Sequence, residues 1–300
     1  MTGVQTCALP ISRVRLQDLT CDLVAPTVVS FVFSLWDIQA TLLFVIVIGV
    51  ISGIFECIIF HFIYNKFPQL QDKRLARHND QHSHMWEAAK TLARIPVFTT
   101  CLSISMLYLT VLSMGPVMIT YMLFVGFSAS TISIIRGVSV VFGLLSTFTL
   151  SGITRILGLR LAGLVAIWFQ MCCLTIAIWS FYVDSTSHLQ QTMFFIGICV
   201  SRWGLWTFDL IQTQLVQEEI PTQYLGLITG LEISAQNFLE MGAYGLTIWW
   251  DQPGDFWIPA NISVGAVLFA AMLYTGYYLQ HKRGITLEDF EQEPLLEDDE

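Results

Sequence analysis

The sequence predicts an all-α protein that crosses a membrane several times. Hydrophobic residues make up 54% of the 300 residues and charged residues only 12%, and the mean hydropathy is +0.63. Soluble domains carry about 25% charged residues, so most of this chain is expected to lie in lipid. Apolar stretches of about 20 residues recur along it, which is the length that a helix needs to cross a bilayer. The strands of a membrane barrel are shorter and less apolar, so these stretches argue against that class.

Eight apolar stretches are expected to form the transmembrane helices, and the basic residues between them indicate their orientation. The stretches are 18–36, 40–65, 98–122, 129–153, 160–183, 192–216, 226–250 and 257–279. Lys and Arg precede the first stretch and follow the second, fourth and eighth, whereas the other connecting segments contain none. Because basic segments stay on the cytoplasmic side, we expect both ends of the chain and the segment 66–97 to face the cytosol.

The first twelve residues differ in character from the rest of the chain. Met1–Ser12, with the sequence MTGVQTCALPIS, lacks the basic start and the apolar run of a signal sequence. Read as codons, the stretch resembles a translated short-read sequencing adapter. We therefore expect residues 1–12 to be adapter-derived and the chain to be a fragment.

The order of the remaining segments predicts a twelve-helix transporter that lacks its first four helices. Residues 13–65 hold two helices, 66–97 a cytoplasmic loop, 98–280 six helices and 281–300 an acidic cytoplasmic tail. Such carriers join two six-helix halves through a long cytoplasmic loop. We therefore expect a major-facilitator-type fold, with the complete second half and the last two helices of the first half. Since alternating access needs both halves, we expect no transport by this chain alone.

Several segments together carry a family resemblance. The most specific is SRWGLWTFDLIQTQLVQE, Ser201–Glu218, and it is supported by Leu107–Thr120 and Gly226–Glu240. They resemble the tenth, the interrupted seventh and the eleventh helix of ferroportin, the iron exporter of solute carrier family 40 within the major facilitator superfamily. The resemblance covers residues 17–280. It implies export of ferrous iron or a similar divalent metal from the cytosol by alternating access, without a cofactor.

One departure from that family leaves other functions open. In vertebrate ferroportins a cysteine in the interrupted helix and a histidine in the eleventh helix form one metal site. The aligned positions here are Pro116 and Ala243, which cannot bind a metal through their side chains. The alternatives are a major-facilitator carrier of a small organic solute, and a receptor or scaffold that no longer transports. An enzyme or an ATP-driven pump is not expected, since no nucleophile, phosphate loop or nucleotide motif occurs, and no nucleic-acid partner is expected.

Gly115 and Pro116 predict an interruption of the third apolar stretch. Proline removes a backbone donor and clashes with the preceding turn. Unwound backbone inside a membrane is tolerated only beside protein or a water-filled cavity, which is where transporters place their substrate sites. The interruption therefore predicts part of a transport cavity, with a simple helix kink as the alternative.

A polar stripe is predicted on the seventh apolar stretch. Glu232, Gln236 and Glu240 are spaced four apart and so share one helix face. Oxygen ligands suit hard cations and protons, which makes Glu240 a candidate metal ligand. The alternative is a helix that lines an aqueous cavity and binds no ion.

Arg202 and Asp209 are charged residues inside the sixth apolar stretch. A charge at the centre of a bilayer costs about 3 kcal/mol on insertion scales, so each is expected to face a partner or a cavity. They lie two helical turns apart, which is too far for a direct bond within the helix. We expect each to reach a neighbouring helix and to hold one conformation as an ion-pair lock, with direct solute contact as the alternative.

The cysteines and two short motifs complete the sequence predictions. Free buried thiols are favoured over disulfides, because no CxxC pair occurs and six of the seven cysteines lie in or beside apolar stretches. His78, His82 and His84 could bind a metal, although a solvated loop is the simpler interpretation. Glu291, Leu295 and Leu296 fit an acidic dileucine signal for a sorting adaptor, with a plain solvated tail as the alternative. The alternatives for its location are the plasma membrane and a vacuolar or endosomal membrane.

Overall fold

The computed structural model describes residues 38–66, 96–182, 188–220 and 222–282, together with Cys21 and Val32. Within these ranges all regular structure is helical and no strand occurs, as the sequence predicts. The chain divides into two units, one of residues 20–91 and one of residues 1–19 and 92–300.

Apart from Cys21 and Val32, the described residues of the smaller unit form one long helix, α1, which runs from Ile38 to Lys66. It corresponds to the predicted apolar stretch 40–65. Two polar pairs bond within this helix: Ser52 Oγ donates to Glu56 Oε1 at 3.5 Å, and Asn65 Nδ2 lies 3.0 Å from His61 Nε2. The preceding stretch, 18–36, lies outside the described residues except for Cys21 and Val32.

The larger unit is a helical bundle that matches the later predicted stretches. Its helices are α2 (Pro96–Met106), α3 (Pro116–Val125), α4 (Ala129–Leu157), α5 (Leu159–Trp179), α6 (His188–Glu219), α7 (Thr222–Trp249) and α8 (Trp257–Lys282). Short 3-10 turns follow α5 at Ser180–Tyr182 and precede α8 at Pro253–Asp255. The third predicted stretch is divided between α2 and α3.

Two glycines make the tight connections on either side of α4. Gly126 ends α3 in the left-handed region at φ 99°, which a residue with a Cβ rarely adopts. Ser128 then caps α4, because its hydroxyl accepts a bond of 3.2 Å from the Thr131 N–H. Gly158, at φ 79°, joins α4 to α5 without an intervening loop.

Helix α6 is the central element of the bundle and packs against α5 and α4. Two glycines of α6 allow a very close approach to α5. A Cβ added at Gly204 would lie 2.7 Å from the Ala166 carbonyl oxygen, and one at Gly197 would lie 2.8 Å from that of Cys173. Helix α8 packs on α2 and α5, and its Tyr274 and Tyr277 are buried in the common core.

Five described helices are long and apolar enough to cross a membrane. These are the helices over 39–66, 131–157, 159–182, 192–219 and 257–282. Helices α2 and α3 are apolar but short, because the predicted interruption divides them. Helix α7 is long, but its glutamates, amides and glycines lower its hydropathy. Large apolar side chains cover the outside of the bundle, where Phe148 is 68% exposed and Ile248 is 79% exposed.

Candidate functional site

An unwound segment, residues 107–115, separates α2 from α3 inside the bundle. Gly115 is extended at φ −88° and ψ −174°, and Pro116 occupies the first position of α3. Proline suits that position, because an N–H there has no intrahelical partner. The interruption predicted at Gly115 and Pro116 is therefore the last part of a longer break. Leu107, Val111 and Leu112 of this segment are all buried.

Side chains from two other helices bond the buried backbone of the unwound segment. The Val111 N–H donates to Ser263 Oγ of α8 at 2.9 Å. The Leu112 carbonyl oxygen accepts from Arg202 Nη2 of α6 at 2.7 Å. An unpaired backbone group in hydrocarbon costs several kcal/mol. These two contacts therefore compensate for the missing helical bonds at the centre of the break.

Arg202 is the polar residue of α6 that faces the break. Its Nη2 makes a charge-assisted hydrogen bond, which is stronger than a bond between neutral groups. Its Nε atom is buried and has no hydrogen-bond partner among the described residues. The next residue, Trp203, donates from Nε1 to Thr149 Oγ1 of α4 at 2.9 Å. The sequence interpretation expects a charged partner on another helix, whereas the bond present here goes to a backbone carbonyl.

A thiol–carboxylate cluster joins α2, α6 and α7 and consists of Cys101, Gln212, Glu232 and Gln236. Glu232 accepts from Gln212 Nε2 at 2.9 Å through Oε2, and from Gln236 Nε2 at 3.1 Å through Oε1. The Cys101 sulfur accepts from Gln212 Nε2 at 3.6 Å, and its side chain interacts electrostatically with the same carboxylate. Asp209 of α6 also interacts electrostatically with Glu232. Glu232 and Gln236 of the predicted stripe are thus bonded to each other and to α6. Asp209 interacts with this stripe, whereas Arg202 bonds the unwound segment.

The far end of the stripe is more open. Glu240 Oε1 accepts from Tyr244 Oη at 3.2 Å, one helical turn away. Close by, a Cβ added at Gly242 would lie 3.2 Å from Leu109 Cδ1, so α7 passes against the unwound segment at this level. The structure therefore brings the Gly242 side of α7 next to the break, whereas Glu240, two residues earlier, lies on the other side of the helix with Tyr244.

A further polar network, which the sequence reasoning did not identify, ties the ends of α5, α6 and α8. Arg160 Nη2 lies 2.8 Å from Glu219 Oε1, and Arg160 Nε lies 3.3 Å from Tyr277 Oη. The Tyr277 hydroxyl also donates to Glu219, and Tyr274 Oη donates to the Arg160 carbonyl at 3.1 Å. The sequence signal was present in Arg160 and Glu219, which flank apolar stretches, but their pairing depends on the fold.

Several predicted metal-binding and sorting residues lie outside the described part of the chain, and the described part offers few strong metal ligands. His78, His82, His84 and the dileucine residues lie outside the described residues, as does Met1–Ser12. In the described ranges no three His, Cys, Asp or Glu side chains are grouped closely enough to hold a metal ion. The described cysteines are free, as the sequence predicts, but only Cys101, Cys173 and Cys199 are buried, whereas Cys21, Cys57 and Cys172 are exposed. The bundle therefore offers carboxylates, amides, one thiol and backbone carbonyls as candidate ligands.

The sequence is similar to those of known membrane proteins. A family model described as Ferroportin1 (FPN1) matches residues 12–267. Solute carrier family 40 member 1 of Oryza sativa subsp. japonica is 29% identical over 286 residues, which cover 88% of this chain and 59% of that protein. Ferroportin of Homo sapiens is 24% identical over 233 residues, which cover 60% of this chain and 41% of that protein. The chain thus spans about three fifths of the rice relative and less of the human one.

Solved structures share the fold. A crystal structure of a bacterial homologue of iron transporter ferroportin in an outward-facing state matches with a TM-score of 0.73 and 23% identity, covering 93% of this chain and 65% of that chain. A structure described in the same words but with soaked iron matches with a TM-score of 0.59 and 28% identity, covering 62% of this chain and 47% of that chain. The predicted class of an all-α, multi-pass membrane protein is therefore confirmed.

Proposed function

The chain belongs to the ferroportin family, and from this we propose that it serves the transport of ferrous iron or a similar divalent metal out of the cytosol. The printed descriptions of the bacterial homologues name an iron transporter, which supports this substrate class. We propose alternating access as the mechanism, with two helical halves rocking about a central site.

The observation that carries the proposal is the unwound segment, which lies against α6, α7 and α8 inside the bundle. A break in a transmembrane helix exposes carbonyl groups to a cavity, and such carbonyls commonly line the substrate sites of transporters. Gly242 of α7 lies against Leu109 in the break, whereas Glu240, two residues earlier, lies on the other side of α7. Carbonyl oxygens favour harder divalent cations.

We propose that α5 and α6 move together relative to α2 and α3, and that the contact between Arg202 and Leu112 lies at the boundary between the two groups. Helices α5 and α6 pack too closely at Gly197 and Gly204 to slide, so they move as one body. A shift of this body relative to α2 and α3 must stretch the bond of 2.7 Å between Arg202 and the break. The bond therefore links the state of the cavity to the position of α6.

The orientation and division of the chain are part of the same proposal. We place residues 66–97 and both ends in the cytosol, because the basic residues concentrate there. We assign 98–280 to the second six-helix half and 13–65 to the last two helices of the first half. The network of Arg160, Glu219 and Tyr277 then lies at the cytoplasmic end of the bundle.

A chimera tests the function directly. The 286-residue segment of the rice relative that aligns with this chain is replaced by the chain's own residues, and the product is reconstituted into vesicles loaded with Fe²⁺. We expect saturable Fe²⁺ efflux above that of protein-free vesicles. The intact rice relative serves as the positive control for reconstitution.

Two outcomes would contradict the proposal. If the chimera inserts correctly but transports no metal, while the intact rice protein is active, the receptor or scaffold alternative is favoured. Flux of an organic solute that is indifferent to Fe²⁺ would favour the organic-solute carrier. Cys-accessibility labelling of single cysteines at the vesicle exterior confirms insertion in each case.

A further inference from the structure

Helix α8, with the residue that precedes it, contacts the interrupted helix at three points on one face. Phe256, Ser263 and Ala270 follow one another at intervals of seven residues, which is about two helical turns. The Phe256 ring stacks on that of Tyr121 in α3, with the ring centroids 3.9 Å apart. The Ala270 carbonyl oxygen accepts from Ser103 Oγ of α2 at 2.8 Å. This face therefore runs alongside both arms of the interrupted helix and places Ser263 opposite the break.

The backbone N–H groups of the break find partners within their own segment until Val111. Those of residues 107–109 each donate to the carbonyl three residues earlier, and that of Thr110 donates to the carbonyl two residues earlier at 2.8 Å. The Val111 N–H instead leaves the segment and donates to Ser263 Oγ at 2.9 Å. In a continuous helix it would donate to the carbonyl oxygen of Leu107, to which no backbone N–H of the described residues donates. At Val111, therefore, α8 takes the place of the helical partner.

Ser263 is well suited to hold this N–H. Its hydroxyl hydrogen is donated to the Pro259 carbonyl oxygen at 2.8 Å, one turn earlier in α8, so its oxygen presents lone pairs to Val111. Ser263 is 0% exposed and Val111 is 2% exposed, so water does not compete for the bond. Residues 107–112, with the sequence LYLTVL, contain neither glycine nor proline and could continue a helix. The bond to Ser263 therefore competes with rewinding of the segment.

We propose that Ser263 is a positioning residue for transport, which keeps residues 107–115 unwound by holding the Val111 N–H away from the Leu107 carbonyl oxygen. This inference rests on the proposed function, in which the unwound segment lines the path of the metal. Without the Ser263 hydroxyl, the Val111 N–H is left to the Leu107 oxygen, and a share of the molecules rewinds this turn. The apparent affinity for the transported metal then falls in proportion to the share that stays unwound.

Fe²⁺ efflux by the rice chimera, measured across a range of Fe²⁺ concentrations, tests the positioning role. We expect Ser263→Ala to raise the half-saturating Fe²⁺ concentration about threefold or more, as it does when about a third or less of the molecules stay unwound. Ser146→Ala is the matched control, because Ser146 is also 0% exposed but donates only within its own helix, to the Gly143 carbonyl oxygen at 2.6 Å. A lower maximal rate of Ser263→Ala at an unchanged half-saturating concentration would reflect fewer folded carriers and would overturn the proposal.

A second measurement, on the full chain in detergent, does not depend on transport. An ester bond in place of the amide between Thr110 and Val111, introduced with the α-hydroxy analogue of valine, removes the N–H and keeps the side chain. Ser263→Ala should lower the melting temperature of the amide chain by a few degrees and that of the ester chain no further, because both changes remove the same bond.

The two measurements separate the role of Ser263 from the transport function. No loss of melting temperature in the amide chain, or an equal loss in the amide and ester chains, shows that Ser263 does not act through the Val111 N–H. Either result overturns the inference even if the chimera exports Fe²⁺. A loss confined to the amide chain supports the hold of Ser263 on Val111 even if the chimera fails to export.

Discussion

The guanidinium of Arg202 lies 2.7 Å from the carbonyl oxygen of Leu112 and so bonds α6 to the unwound segment between α2 and α3. An arginine in a membrane helix is unfavourable unless it has such a partner. Here the partner is a backbone group that lost its own helical bond. Each group therefore compensates for the other, and the charge in the apolar SRWGLWTFDL stretch has a structural reason.

Replacing Arg202 by Met should destabilise the protein. The Leu112 carbonyl would lose its side-chain donor, and a buried polar group left unpaired costs about 1–3 kcal/mol. Thermal unfolding in detergent measures the effect against Arg155→Met, because Arg155 is exposed in the last turn of α4. Equal melting temperatures for the two variants would show that the bond to the break adds no stability.

Replacing Asp209 by Asn should shift the balance between inward-open and outward-open states. Asp209 interacts with Glu232 of α7, so its charge bears on the contact of α6 with α7. We predict that metal affinity changes little, because a lock acts on populations and not on the ligand set. Labelling of cysteines introduced at each end of the cavity, paired with a metal titration of the chimera, separates the two roles. Lost binding with unchanged labelling would make Asp209 a ligand instead.

Glu219 and Tyr277 should be energetically coupled through Arg160. Both contact the same guanidinium, and the Tyr277 hydroxyl also donates to Glu219. Glu219→Gln, Tyr277→Phe and the double variant form a cycle in which the double variant should be less destabilised than the sum, by about 0.5 kcal/mol or more. Strict additivity in the unfolding free energies would show that the three groups act separately.

Replacing Gly204 by Ala should destabilise the pair of α5 and α6. The new methyl group would lie 2.7 Å from the Ala166 carbonyl oxygen, and overpacking of this kind costs about 1–3 kcal/mol. Gly152→Ala in α4 is the matched control, because nothing lies within 4 Å of its added Cβ. That substitution should be neutral or slightly stabilising, since alanine favours helices. If the Gly204→Ala and Gly152→Ala proteins have the same melting temperature, α5 and α6 can move apart enough to accept the methyl group.

Glu240 should contribute to the pH dependence of metal binding. A carboxylate must lose its proton before it can bind a cation, so affinity is predicted to fall as the pH is lowered. Glu240→Gln should make that dependence shallower, whereas Asp251→Asn, an exposed acidic change in the segment after α7, should not. Divalent-metal binding to the chimera is measured across the acidic range for each protein. Identical profiles would remove Glu240 from the site.

The sequence predicted the features that depend on local chemistry. The length of the apolar stretches predicted the helices, and the Gly115–Pro116 pair predicted the interruption. The spacing of Glu232 and Gln236 predicted that they share one helix face. These features need only neighbours within one or two turns. The starting point of the break was missed, because residues 107–112 contain no proline or glycine and leave the helix only in the company of Ser263 and Arg202.

Contacts between distant parts of the chain could not be derived in the same way. Arg202 meets Leu112 across 90 residues, Arg160 meets Glu219 across 59, and Gln212 meets Cys101 across 111. Sequence identifies each of these polar groups as unusual, but the packing of the helices selects its partner. Cys101 was therefore predicted only as a buried thiol, and its carboxylate neighbour emerged from the fold.

The initial rate of Fe²⁺ efflux by the rice chimera, with and without Glu240→Gln, tests the central claim most directly. The claim is that a divalent metal passes along the unwound segment and that Glu240 of α7 contributes to its path. We predict saturable efflux for the unsubstituted chimera and a clearly lower rate for the variant at equal insertion. Absence of any Fe²⁺-dependent efflux beside an active rice protein, or the same rate in both chimeras, would contradict it.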